Sequence, residues 1–150
     1  MKNKMSKIWF YALSFTWGLP MTLLGLVAAL ILRAAGYKPT RWGGCRVFTV
    51  GEAWGGVNLG IVSIVSGTSG EFTKTHEFGH AVQNCKYGIL MPFIVAIPSA
   101  IRYWYREIRY QLGYKEKTDY YDIWFEDEAN RLGNKYLTVW PQQKDNFDTV

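Results

Sequence analysis

The order of apolar and polar positions divides the chain into an uncharged N-terminal stretch, a β-branched centre and a helical C-terminal half. Residues 8–32 run for 25 positions without a charge. A helix of that length exceeds the roughly 30 Å hydrocarbon thickness of a bilayer. The pattern therefore predicts an N-terminal transmembrane helix, kinked at Pro20, as a membrane anchor over 1–35. Trp9, Tyr11 and Trp17 stand where an aromatic belt would form. Two rivals share the pattern. A cleaved signal peptide would also start with Lys2, Lys4 and Lys7, but its apolar core is shorter and an A-x-A site would follow it. A buried core helix would need more surrounding chain than 150 residues readily provide. Lys and Arg flank both ends of the stretch, so the positive-inside rule leaves its orientation open.

Beyond the anchor, residues 36–44 read as a turn-rich linker with Pro39 and Gly43-Gly44. Cys45 to Val50 is a strand candidate, and Gly51 to Gly56 a turn. Val57 to Val65 is rich in β-branched residues and reads as a second strand, weakened at Gly60; with the first it would form a β-hairpin. Thr68-Ser69-Gly70-Glu71 matches a capping box and opens a helix over about 69–86, with Gly88 just past its end. Gly88 to Ile101 is again uncharged, but 14 residues are short for a crossing. This run is read as re-entrant, interfacial or buried in the domain core. It leads into a helix with Arg102, Arg106 and Arg109 on one face and Ile101, Trp104, Tyr105, Ile108 and Leu112 on the other. That arrangement suits a bilayer surface or, alternatively, packing on the protein with the arginines in water. The residues after Pro141 form a polar tail, 141–150.

Composition adds a charge asymmetry. The net charge is +5, yet residues 1–70 contain seven Lys/Arg and a single acid, Glu52. With 17% aromatic residues, a basic first half suits an anionic lipid bilayer at least as well as nucleic acid, and no nucleic-acid motif accompanies it. Cys45 and Cys85 lack metal-ligand spacing and are expected to be free, buried thiols rather than a disulfide framework.

The chemistry concentrates in one pentapeptide, His76-Glu77-Phe78-Gly79-His80, which contains both histidines of the chain. Positions i and i+4 of a helix share one face, so two imidazoles can hold one Zn²⁺, with Glu77 as general base on an activated water. A catalytic site needs a third protein ligand, and no other histidine exists. Glu126, Ala129, Asn130 and Gly133 fall on one helical stripe, making Glu126 the best candidate, with Asp122 in reserve. Small residues at Ala129 and Gly133 would allow close approach to the histidine helix. Asn130, one turn after Glu126, could hydrogen-bond a ligand histidine. Glu128 points elsewhere.

His76-Glu77-Phe78-Gly79-His80 followed by Glu126-x-x-Ala129-Asn130 resembles the gluzincin arrangement H-E-x-x-H…E-x-x-A-D. It is most similar to the membrane zinc peptidases of the CAAX prenyl protease and HtpX group, over about residues 70–90 and 120–135. The resemblance implies His76, His80 and Glu126 as zinc ligands and Glu77 as general base. Asn130 stands where that family usually has Asp. With no further histidine, a Tyr or Arg would stabilise an oxyanion.

These readings together give an expected α+β architecture: a transmembrane helix, then a zincin-like metal-binding domain over 36–140 with a β-hairpin and an HExxH helix packed on a C-terminal ligand helix. The leading function is a membrane-anchored zinc metallopeptidase acting on a peptide or protein substrate, in which the strand at 57–65 pairs with the substrate. The alternatives are a non-catalytic membrane protein whose zinc ties two helices together, and an interaction protein without a metal.

Overall fold

The structure, a computed structural model, describes residues 5–115, 122–138 and 140. The expected tail at 141–150 lies outside them. Helices α1 (Lys7–Ser14) and α2 (Leu19–Ala34) precede four strands, β1 (Thr40–Trp42), β2 (Cys45–Thr49), β3 (Gly56–Leu59) and β4 (Val62–Val65). Helix α3 (Glu71–Tyr87) leads through a 3₁₀ turn (Gly88–Leu90) and a wide π-type turn (Pro92–Ala96) into α4 (Ile97–Gln111). Helix α5 (Trp124–Leu137) follows.

The expected N-terminal transmembrane helix is overturned. Among the described residues no single helix is long and apolar enough to cross a membrane. The uncharged stretch instead breaks into α1 and α2, which meet at 89°. Pro20 does not kink a continuous helix; it sits in the first turn of α2, where its missing N–H costs nothing. The break is held by α3, whose Asn84 Nδ2 donates to the Gly18 carbonyl at 3.1 Å. Phe10 of α1 is fully buried, with its ring 6.0 Å from that of Phe78 and 5.2 Å from that of Trp140. Burying such a side chain is worth about 1.5–3 kcal/mol, so α1 belongs to the core that surrounds α3.

The four strands form one sheet in the order β1-β2-β4-β3. β1 and β2 are an antiparallel pair joined through Gly43-Gly44, so the expected linker at 36–44 contributes a strand. The expected second strand at 57–65 is two strands. β3 and β4 pair antiparallel with Leu59 opposite Val62, which leaves only Gly60 and Ile61 in the loop. Gly60 has φ +66°, the positive value that the first position of a type II′ turn demands and that glycine supplies without strain. β4 then pairs parallel with β2, so the expected hairpin between 45–50 and 57–65 does not form; β3 becomes a sheet edge.

Cys45 and Phe78 share one buried cluster, placing α3 on the Cys45 face of the sheet. Val62 is paired with Arg46 and so lies on the opposite face. There it meets α2, where a side chain at Gly25 would come within 3.1 Å of Val62 and 2.1 Å of the Leu59 carbonyl. The capping box expected at Thr68–Glu71 is absent. Gly70 is the N-cap, and Thr68 Oγ1 instead accepts from the Ala53 N–H at 3.3 Å. The helix runs 71–87 and stops at Gly88, whose φ is +57°.

α5 crosses α3 with backbone nearly touching backbone. A Cβ on Gly79 would lie 1.8 Å from the Ala129 carbonyl oxygen, and one on Gly133 2.1 Å from that of Thr75. Either glycine replaced by alanine must therefore push the helices apart. Gly79→Ala or Gly133→Ala is expected to destabilise the fold by about 2 kcal/mol or more, read as a lowered urea midpoint, whereas Gly70→Ala, with open space around it, is expected to have little effect.

Cys45 and Cys85 are free and buried. Burial pushes their thiols up to about 12 and about 11 respectively. Since only the thiolate reacts, both are expected to resist maleimide at pH 8 in the folded chain and to react on denaturation, as counted by mass spectrometry.

Candidate metal centre

Helix α3 is buried without interruption from Thr75 to Cys85. Six of those residues are polar: Thr75, His76, Glu77, His80, Gln83 and Asn84. An unsatisfied buried polar group costs about 1–3 kcal/mol, so where their hydrogen bonds go decides whether the helix can sit there. Thr75 Oγ1 accepts from Trp42 Nε1 at 3.2 Å, and Asn84 is used at the α1–α2 break. Gln83 Nε2 donates to the Phe125 carbonyl at 2.7 Å and to Glu128 Oε2 at 3.0 Å. Those two acceptors fix the amide so that Oε1 faces His80 Nδ1, 2.7 Å away. His76 Nδ1 meets Asn130 Oδ1 at 2.8 Å.

With each Nδ1–H given to an amide oxygen, both Nε2 atoms carry bare lone pairs, and they point at one another. His76 Nε2 and His80 Nε2 are 3.1 Å apart, and Glu126 Oε2 lies 3.1 and 3.2 Å from them. Three acceptors thus converge in a region where the residues are 5%, 7% and 0% exposed. A single proton relieves one pair of this cluster; a cation relieves all three. Ligand atoms around a tetrahedral ion with bonds of about 2.0–2.1 Å stand about 3.3–3.4 Å apart, so the spacing fits. His76, His80 and Glu126 therefore form a group that could hold a metal ion. Ser99 of α4 donates to the other carboxylate oxygen, Oε1.

Burial alone would raise the Glu126 carboxyl, but the Nε2 atoms of His76 and His80 facing it, either of which can take up a proton and turn it toward the carboxylate, hold it far below the usual carboxylate range. For His80, burial disfavours the proton, yet Glu126 and Glu77 hold its pKa above the ordinary imidazole value. Glu77 is pushed up by burial, only partly offset by His80 and His76. Its Oε2 has no hydrogen-bond partner among the described residues. Gly56 of β3 makes room for it: a Cβ there would stand 2.8 Å from Glu77 Oε1.

His76, Glu77 and His80 line a cavity of about 820 Å³. Edge strand β3 borders one side and α4 the other, through Ser99, Tyr103 and Arg106. The structure brings Glu126 to both histidines and Asn130 to His76. Asp122 is exposed and precedes α5, so it cannot share that helix's inner face. Glu128 turns away to Lys86, Tyr87 and Gln83. Two contributors were missed in the sequence. Gln83, three residues after His80, had a signal in its helical spacing; Ser99, inside an apolar run, had none.

Comparison with known proteins finds no match to a family model, to a curated protein or to a solved structure.

Metal analysis of the purified chain is expected to give one ion per molecule, lost in His80→Ala and Glu126→Ala and retained in Asp122→Ala. Gln83→Ala, which frees the His80 imidazole to turn, is expected to weaken metal affinity about 10–100-fold.

Proposed function

We propose that the protein is a zinc-dependent hydrolase of peptide bonds with Glu77 as its general base, working in the manner of the gluzincins that its motifs resemble. Two imidazole nitrogens and one carboxylate oxygen are one of the donor sets of catalytic zinc sites, which keep one position open. The observation that carries the reading is Glu77: a buried carboxylate beside the ligand cluster, lining the cavity, with one oxygen lacking any partner among the described residues. Each of the other buried polar side chains of α3 makes at least one hydrogen bond, although Asn84 Oδ1 is also left without a partner among the described residues. Glu77 differs in being an ionisable group beside the three converging ligand atoms and in the wall of the cavity.

When bound, zinc lowers the pKa of a water toward about 7 and polarises the scissile carbonyl. The Glu77 carboxylate would accept a proton from the attacking water and return it to the leaving amine, and its burial raises its basicity for the first transfer. Asn130 and Gln83 keep both imidazoles in the tautomer that presents Nε2. The free edge of β3, Gly56–Leu59, runs along the cavity and supports pairing with an extended peptide. Tyr103, Tyr110 and Tyr114 border the same cavity and offer phenolic donors for the developing oxyanion.

Glu77→Gln keeps the shape and removes the base. It is expected to retain full metal content while turnover of a quenched-fluorescence peptide library falls about 10²–10⁴-fold. Undiminished turnover would eliminate the mechanism. A wild type that binds metal yet cleaves no peptide, with melting temperature falling on chelation, would favour a metal that only ties α3 to α5.

A further inference from the structure

Helix α4 is amphipathic in the inverted sense. Its side facing the protein is polar: Ser99 donates to buried Glu126, Arg106 lines the metal cavity, and Arg102, Arg106 and Arg109 are all half-buried. Its outer side is apolar. With the turn that precedes it, it exposes Phe93 (69%), Ile97 (48%), Ile101 (64%), Trp104 (61%) and Ile108 (55%), a single stripe at i, i+4, i+8, i+11 and i+15. A helix in water places these faces the other way round.

α2 also turns an apolar face outward, here with an inner face that is not polar. Its Met21 packs with Met91 and Val95 beneath the turn before α4, so the two segments are neighbours. Meanwhile Leu23, Leu24, Val27, Leu30 and Ile31 form an exposed stripe on α2, between 51% and 71% accessible. Two apolar stripes, on segments that meet at Met21, expose more surface than isolated residues do, and surfaces of this kind mark interaction sites.

The composition of the rim indicates the partner. Trp9 and Trp17 are exposed at the ends of α1 and its break, with Lys7 at the start and Arg33 at the far end of α2. Aromatic rings and cations bordering an aliphatic band match the chemistry of a membrane interface. Residues 1–70 add seven cations against one acid. α1 meets α2 at 89°, so the first uncharged stretch can dip in and return on one side, while a turn of 116° sets the segment entering α4 apart from the buried helix α3. We propose that the outward faces of α2 and α4 bind an anionic lipid bilayer, entering one leaflet without crossing it. This does not depend on whether the metal centre is catalytic.

The test uses the full chain added to preformed sealed vesicles of phosphatidylcholine with or without phosphatidylglycerol. The chain is expected to float with the vesicles, more completely with phosphatidylglycerol and less in high salt. Ile97→Glu with Ile101→Glu is expected to reduce partitioning about tenfold or more, with metal content unchanged as evidence of folding. Sidedness separates docking from crossing: Lys7→Cys and Arg33→Cys, probed separately, are both expected to react with a membrane-impermeant maleimide added outside. Protection of either cysteine would overturn the one-leaflet reading. A chain that ignores vesicles and instead forms a dimer broken by the two Glu substitutions would overturn the lipid assignment in favour of a second copy.

Discussion

The near-contact of two backbones, α3 against α5, is the constraint on which the rest of the molecule depends. A carboxylate can reach two imidazoles one turn apart only if its helix comes unusually close. The missing side chains at Gly79 and Gly133, each facing a main-chain carbonyl of the other helix, permit that approach. The position of Glu126 follows, and so does the buried setting, at the wall of the cavity, in which the three ligand atoms face one another. An interaxial distance set by backbone contact is also rigid: no side-chain repacking can adjust it.

That closeness forces a second arrangement. A helix enclosed on every side would ordinarily be apolar, yet α3 is polar along most of its buried length. It resolves the conflict by acting as the donor and acceptor hub of the fold. Asn84 secures the α1–α2 break, Thr75 receives the Trp42 indole, and Gln83 joins His80 to α5. The same side chains that make the helix tolerable in the interior hold its neighbours in register. Structural specificity and metal-site geometry are here one network rather than two.

Much of the site could be read from residue spacing because helical periodicity is local. His76, Glu77 and His80 are adjacent in the chain, and the stripe Glu126-Ala129-Asn130-Gly133 carried both ligand and packing information. What failed were inferences that local pattern cannot decide. A 25-residue uncharged run has the same composition whether straight or folded back, and the bend at Gly18 is enforced by Asn84, far along the chain. The run 57–65 reads as one β-branched strand because Gly60 looks like a blemish; its positive φ makes it the turn. Pairing of β2 with β4 rather than β3 depends on tertiary placement of α2 and α3 on the two faces. Ser99 contributes to the centre from an apolar segment that offers no pattern of its own.

Glu126 and His80 are separated by the whole chain segment that builds the turns, α4 and the cavity wall. An ion held between them closes that segment into a loop, as a cross-link would. Closing a long loop in the unfolded chain is entropically unfavourable in proportion to the logarithm of its length, so the ion's affinity and the order of that wall are thermodynamically linked. Metal supply would then govern more than occupancy of a site: it would set how much of the time the α4 side of the molecule is assembled, and through α4 which surroundings the protein can occupy.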